Sequence, residues 1–219
     1  MRILKILRIV LDLIVPFGEF LRSIESKKPF RAVIEVLIRL IPQTFFIYWL
    51  FSMIPILGTF VYILIFIPLS VLAHIKINRI NNTTEKVKIL LWYFVVILLG
   101  FGGIWNFIGH FFMADMVATK IGWPTGSPFQ IELAFYTLGT AIAALTAIWI
   151  KGHMITALII SKSIFWYGAA YVHIKDVFDR DNYSPYNIGL NLIGDILFPT
   201  LLLVLLVYIL RNDIDFIIK

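Results

Sequence analysis

The sequence contains no cysteine and few charged residues. Its 219 residues include no Cys, and Asp, Glu, Lys and Arg make up only 15% of the chain, against about 25% in an average soluble domain. The absence of Cys excludes disulfide bonds, thiol nucleophiles, Cys-ligated zinc and iron–sulfur clusters. With 60% hydrophobic residues and a mean hydropathy of +0.92, a chain of this length cannot bury its apolar surface in a soluble core. We therefore expect an integral membrane protein.

Apolar segments are distributed along the whole chain and indicate several membrane spans. A helix needs about 20 residues to cross a bilayer. The apolar region 31–75 is too long for one span and is interrupted near Pro55 and Gly58, which predicts two spans there. Four further apolar segments follow the polar loop 76–88. We predict an all-α integral membrane helical bundle with about six transmembrane helices, at 31–53, 56–75, 89–113, 128–150, 154–172 and 188–210.

The first 22 residues predict an additional helix. Lys5, Arg8, Asp12 and Glu19 recur at helical spacing, and apolar residues cover the opposite side. This pattern is typical of an amphipathic helix in the headgroup region or of a helix packed against the bundle, and the sequence leaves both alternatives open. No internal repeat or low-complexity tract divides the chain, so we predict a single membrane domain over residues 1–219.

The positive charges predict an orientation. The net charge of +6 comes from Lys and Arg that flank apolar segments, which indicates membrane orientation and not a nucleic-acid partner. With six spans, fourteen Lys and Arg lie on the side of both termini, and only Lys120, Lys175 and Arg180 lie on the other side. This asymmetry predicts a cell-membrane protein whose N- and C-termini are cytoplasmic. The expected partners are the lipid bilayer and further membrane subunits or copies of the chain.

The same topology places unusual polar residues in one layer near the extracytoplasmic face. The last four spans alternate in direction, so the end of one span lies at the depth where the next begins. Polar side chains at such depth are costly unless they face the bundle interior or a water-filled cavity. The predicted polar cluster consists of Asn106, His110, Gln130, Glu132, His173, Asp176, Asn191 and Asp195.

Small residues on the same helix faces predict whether the side chains of this cluster point toward other helices or toward lipid. Glu132 lies in line with Gly139 and Ala143 at helical spacing, and Gly168 lies shortly before His173. Small side chains allow another helix to approach closely. We therefore predict that Glu132 and His173 point toward other helices and not toward lipid.

The loop before the fourth predicted span carries turn and capping signals. The segment 121–126 is rich in Gly and Pro and contains Trp123, which suits a membrane interface. Ser127, Pro128 and Gln130 predict an N-cap, a proline in the first helical turn and a capping-box glutamine. The free amides of this helix start favour an anion or a substrate oxygen, and an ordinary helix start is the alternative.

Other motifs indicate packing or interfacial positions. The stretch Gly100-Phe101-Gly102-Gly103 lacks the last glycine of a dinucleotide fingerprint and predicts a helix-packing surface. Lys162 is expected to extend toward the cytoplasmic interface. The sequence contains no zinc-protease, phosphate-loop or nucleophile-elbow motif, so it predicts no catalytic residue.

Several of these segments resemble a known family. They are Gly109-His110, Ile121-Gly122-Trp123-Pro124, Gly126-Ser127-Pro128-Phe129-Gln130-x-Glu132, and Gly168-Ala169-Ala170 with His173. They look like a family of small multi-pass membrane proteins classed as a domain of unknown function, over roughly residues 90–205. The resemblance implies several spans and singles out these residues, and it implies no activity.

The polar cluster leaves several functions open. His110, Glu132 and His173 form a candidate site for a divalent metal, because imidazole and carboxylate ligate zinc, iron, manganese and copper. The two histidines are also candidate axial ligands of a haem. A third hypothesis is a proton site in a transporter or channel for a small solute. The fourth is a hydrogen-bonded layer without a site of its own, in a structural subunit of a membrane complex. Enzyme activity stays open.

Overall fold

The computed structural model describes residues 67–213 and 215–218. Within these ranges the regular structure is entirely helical and no strand occurs, which confirms the all-α prediction. The predicted amphipathic helix 1–22, the predicted span 31–53 and residues 56–66 of the next predicted span lie outside the described residues.

The chain divides into two compact units, residues 1–93 and residues 94–219. The described part of the first unit contains helix α1 (Ile67–Ile77) and the beginning of helix α2 (Thr83–Phe112). The α2 helix begins earlier than the predicted boundary at residue 89. Asn82 explains this start, because its side-chain oxygen accepts a hydrogen bond from the amide of Glu85 at 3.0 Å and so caps the helix.

The second unit contains the rest of α2 and six further helices. Within α2 the stretch Phe94–Phe101 is π-helical, and the stretch Gly102–Phe112 returns to α-helical geometry. The helices that follow are α3 (Ala114–Ile121), α4 (Phe129–Thr146), α5 (His153–Arg180), α6 (Pro185–Ile188), α7 (Leu190–Asn212) and α8 (Asp215–Ile218).

Among the described residues, four helical segments are long and apolar enough to cross a membrane. They are Thr83–Phe112, Phe129–Thr146, His153–Arg180 and Pro185–Asn212. These segments correspond to the predicted spans 89–113, 128–150, 154–172 and 188–210. The count of six spans stays a prediction, because the first two lie wholly or largely outside the described residues.

Glycines in α2 allow α4 to pack closely against it. A Cβ atom on Gly103 would lie 2.8 Å from Cβ of Ala141, and one on Gly100 would lie 2.8 Å from a methyl carbon of Leu145. Real carbon atoms do not approach this closely, so a larger residue at position 103 would force α2 and α4 apart, and one at position 100 would force the Leu145 side chain to move. The prediction that Gly100-Phe101-Gly102-Gly103 forms a packing surface is confirmed.

The connection after α2 and the end of α5 also differ from the predictions. The short helix α3 follows α2 after a break at Met113, in a segment predicted as loop. Helix α5 continues to Arg180, well past the predicted end at residue 172. An ion pair between Arg180 Nε and Asp176 Oδ1 at 2.5 Å links neighbouring turns at this end of α5. Hydropathy alone cannot detect this extension, because the added turns are polar.

Candidate functional site

His173 lies on α5 and is held by Asn187 of α6. Its side chain is buried, and Nδ1 lies 2.7 Å from Oδ1 of Asn187. The Nδ2 group of Asn187 donates to the backbone oxygens of His173 at 3.2 Å and of Asn182 at 2.7 Å. Because both Nδ2 hydrogens have carbonyl acceptors, Oδ1 is the atom that faces the imidazole. We infer that Nδ1 of His173 carries a hydrogen and donates it to Asn187.

The other ring nitrogen of His173 faces a carboxylate. Its Nε2 lies 3.9 Å from Oδ2 of Asp195, which is in the second turn of α7. Since Nδ1 carries the hydrogen in the neutral ring, Nε2 has a free lone pair and is the atom that can accept a further proton. Both side chains are mostly buried, with relative exposures of 11% for His173 and 17% for Asp195. The two helices thus bring a base and an acid together in the interior.

Trp123 covers the imidazole of His173. The two rings stack with centroids 5.7 Å apart and planes inclined by 20°. The indole Nε1 of Trp123 donates to Oδ2 of Asp176 at 2.9 Å. The loop between α3 and α4 is therefore held against α5 by the stacking of Trp123 on His173 and by its hydrogen bond to Asp176.

Asp176 is the centre of a hydrogen-bond network around this loop. Besides the N–H of Trp123, the carboxylate of Asp176 accepts a hydrogen bond from Nδ2 of Asn182 at 2.5 Å and forms an ion pair with Arg180. Asn182 also donates to the backbone oxygen of Ile121 at 2.8 Å. Gly122 lies against this asparagine with φ +83°, and a Cβ atom there would collide with its side chain. Because these donors come from α5, from the loop after it and from the α3–α4 loop, Asp176 positions the α3–α4 loop.

The second histidine of the predicted cluster has a separate partner. Nδ1 of His110, near the end of α2, lies 2.6 Å from Oε1 of Gln130, at the start of α4. Gln130 is only 2% exposed. The prediction that the end of one span meets the start of the next is confirmed for this pair. The predicted helix start is wrong: the N-cap is Pro128 and no side chain caps the helix. Ser127 Oγ accepts the amide of Phe129 at 3.3 Å, and the Gln130 side chain bonds His110.

Lys162 lies in the interior and acts on both parts of the cluster. Its side chain is 5% exposed and interacts electrostatically with the carboxylate of Asp195 and the imidazole of His110. The expectation that Lys162 extends to the cytoplasmic interface is wrong. The aromatic rings that surround its ammonium group explain the difference, since they hold the cation inside the protein.

Three predicted members of the cluster lie on the surface. Asn106, Glu132 and Asn191 are exposed. The prediction that Glu132 faces another helix is therefore wrong. A Cβ atom on Gly139, in line with Glu132, would meet nothing within 4 Å, so no helix of the described residues 67–213 packs against this glycine. The buried face of α4 instead carries Gln130, Ala134, Thr137, Ala141 and Ala144.

The predicted metal ligands do not form a group. Glu132 is exposed, and the Nδ1 atoms of His110 and His173 face the side-chain oxygens of Gln130 and Asn187. Over residues 67–213, no three His, Asp or Glu side chains are placed to hold a metal ion together. The metal and haem hypotheses thus gain no support from these side chains and stay predictions.

Asn182, Asn187 and Arg180 are site residues that the predicted polar cluster did not include. All three lie in the segment after residue 172, which was predicted as the end of a span and a loop. Asn182 and Asn187 flank Pro185 in a loop that follows a polar helix end. The presence of two amide side chains in this loop is the one feature of the sequence that indicates them. Arg180 pairs with Asp176 at the helical spacing i, i+4, which the sequence does show. Asn187 bonds His173 and Asn182 bonds the backbone of Ile121, residues 14 and 61 positions away, and no spacing rule identifies these two pairs.

Comparison with known proteins gives one match. A family described as a family of unknown function, DUF6790, matches residues 55–213, which is well over half of the chain. The match includes every residue of the predicted polar cluster. No curated protein and no solved structure matches the chain.

Proposed function

The chain belongs to the DUF6790 family, whose function is unknown, and we propose from its own polar cluster that it is a proton-linked membrane transporter. In this proposal His173 and Asp195 are the pair that takes up and releases the proton. The observation that carries it is the orientation of His173, whose Nδ1 donates to Asn187 while Nε2 faces Asp195 at 3.9 Å.

The proton transfer follows from this geometry. A proton that arrives on Oδ2 of Asp195 breaks its O–H bond and forms an N–H bond on Nε2 of His173, which leaves an imidazolium beside a carboxylate. The 3.9 Å separation needs a small side-chain movement or one intervening water molecule. The reverse transfer restores the neutral imidazole. Ionisable residues inside a membrane segment are expensive, and proton pathways are among their established uses.

The surrounding charges act on this pair. Within the part of the chain that the structure describes, Asp195 lies beside His173 and interacts electrostatically with Lys162. Lys162 also interacts electrostatically with His110. The phenol ring of Tyr136 also contacts Lys162. Asp176 and Arg180 pair with each other nearby on α5. The positive charge of Lys162 attracts the carboxylate of Asp195.

The topology completes the proposal. We propose a multi-pass protein of the cell membrane with six spans and cytoplasmic N- and C-termini, in which the His173–Asp195 pair lies near the extracytoplasmic face. Support comes from the distribution of Lys and Arg and from the four described helices of sufficient length and hydropathy. The lipid bilayer surrounds the bundle, and further membrane subunits or copies of the chain are proposed partners.

Infrared difference spectroscopy on reconstituted protein tests the proton site. A pH step that protonates Asp195 creates the carbonyl stretch of a carboxylic acid. We expect this band in the wild type, its loss in Asp195→Asn, and a changed position in His173→Gln. Asp179→Asn is the matched control, because Asp179 is exposed and pairs with Lys175 on the surface of α5. A band that persists in Asp195→Asn overturns the assignment.

Proton movement in liposomes tests the transport function. Liposomes loaded with a pH-sensitive dye receive a pH step, with and without an outside mixture of amino acids, sugars, organic acids and amines. We expect the wild type to move protons faster than Asp195→Asn, and Asp179→Asn to match the wild type. Wild-type liposomes that are no faster than protein-free liposomes under both conditions overturn the transport function and favour a structural subunit. Stoichiometric metal that is lost in His173→Gln would favour the metal hypothesis.

A further inference from the structure

Three aromatic rings surround the ammonium group of Lys162. Its Nζ lies 5.1 Å from the ring centroid of Tyr136, 4.8 Å from that of Phe165 and 5.4 Å from that of Trp166. Tyr136 comes from α4 and the other two rings from α5. All three distances are within the range in which a ring attracts a cation. We define these three rings as the aromatic cage.

The cation in this cage is buried, and no anion of the described residues lies close to it. Within residues 67–213, no hydrogen bond and no ion pair within 4 Å joins Lys162 to another side chain. Its electrostatic interaction with Asp195 therefore acts over a longer distance. A buried ammonium needs compensation for its lost hydration, and here the rings supply the nearest contacts. The cage is thus built around a positive charge.

The cage and the carboxylate together have the chemistry of a site for an organic cation. Aromatic faces bind ammonium groups, and a carboxylate at longer range adds attraction. Lys162 supplies the ammonium from the protein itself. A group tethered in this way is present at a high effective concentration, so a soluble amine cannot displace it easily.

We propose that the aromatic cage is a primary-ammonium site that Lys162 fills, and that Lys162 thereby determines the specificity of the His173–Asp195 pair for protons. The resident cation occupies the position that a soluble amine would otherwise take, so the pair responds to protons and not to other cations. The specificity role rests on the proposed function. The cage as an ammonium site does not, and it is tested separately.

Replacement of Lys162 by alanine opens the site. Lys162→Ala keeps Cβ and removes the atoms from Cγ to Nζ, whose size and charge n-propylammonium reproduces. We expect the melting temperature of detergent-purified Lys162→Ala to rise with n-propylammonium chloride and to saturate, because a ligand that binds only the folded state stabilises it. Sodium chloride and 1-propanol at equal concentration should have no such effect. The wild type should not respond.

Three further variants complete the binding experiment. Lys175→Ala removes an exposed lysine of the same helix and should show no response to the amine. Lys162→Met fills the cage without charge, so it should fold and not respond. Adding Trp166→Leu to Lys162→Ala removes one ring and should weaken the apparent affinity about tenfold. If n-propylammonium and 1-propanol change the melting temperature of Lys162→Ala equally, the ammonium site is overturned. It is also overturned if Lys162→Met folds but Lys162→Ala cannot be purified in a folded state even when the amine is present.

The specificity role has its own readout. In the infrared experiment, n-propylammonium should change the pH dependence of the Asp195 band in Lys162→Ala and leave the wild type unchanged. An unchanged band in Lys162→Ala, with saturable amine binding in the melting experiment, overturns the specificity role and leaves the ammonium site. A wild-type protein without any Asp195 band shows instead that the proposed proton function has failed.

Discussion

Trp123 stacks on His173 and donates its indole N–H to Asp176, one turn further along the same helix. A single residue of the α3–α4 loop thereby contacts both the proposed proton carrier and the carboxylate that anchors the loop. Stacking and hydrogen bonding use different parts of the indole, so substitutions can separate them.

Trp123→Phe should separate the two contacts. Phenylalanine keeps an aromatic ring over His173 and loses the hydrogen bond to Asp176, so we expect a loss of about 1–2 kcal/mol in stability. Trp123→Ala loses the stack as well and should cost about 3 kcal/mol or more. Melting curves in detergent measure both variants. Equal melting temperatures for Trp123→Phe and Trp123→Ala would show that the stack contributes nothing.

Asn187→Leu should strongly destabilise the protein. It removes the partner of His173 Nδ1 and the donors to two backbone carbonyls; the bonds to His173 are buried and the bond to Asn182 is partly buried. Each buried group left without a partner costs about 1–3 kcal/mol. The matched control is Asn191→Leu, because Asn191 is exposed and makes one long hydrogen bond of 3.4 Å to Tyr186. Comparable melting temperatures for the two variants would contradict the role of Asn187.

Gly103→Ala and Gly139→Ala should have opposite effects. The methyl group at position 103 would collide with Ala141, so we expect a loss of about 1–3 kcal/mol from overpacking between α2 and α4. The methyl group at position 139 meets nothing within 4 Å, and alanine has a better helix propensity than glycine by about 1 kcal/mol. Thermal unfolding of both variants checks the sign. Destabilisation by Gly139→Ala would contradict the open space at this position and indicate that another segment or chain packs against that face.

Glu132→Gln should leave the proton site unchanged. Glu132 is exposed on α4, and no described contact joins it to His173 or Asp195. We expect the Asp195 infrared band and the proton flux of Glu132→Gln to equal those of the wild type, whereas Asp195→Asn loses both. Loss of proton flux in Glu132→Gln with an intact Asp195 band would transfer the proposed role to Glu132.

The composition and the hydropathy pattern were sufficient for the class of protein and for the positions of the described helices. Charge scarcity and apolar segments of span length follow directly from the requirements of a bilayer. The alternation of helix direction also predicted the depth at which polar residues gather, and the contact between His110 and Gln130 agrees with it. These properties depend on the order of residues along the chain.

The rotation of each helix about its axis was decided only by the tertiary structure. Gln130 and Glu132 are two positions apart and so lie on nearly opposite sides of α4, and the sequence marked both as members of one cluster. Packing of α4 on the glycines of α2 turns Gln130 inward and Glu132 outward. Likewise, the aromatic rings that enclose Lys162 come from two helices, and their meeting point depends on packing. The depth of a residue in the membrane follows from its position along the helix. The direction in which its side chain points depends on which helix surfaces pack together.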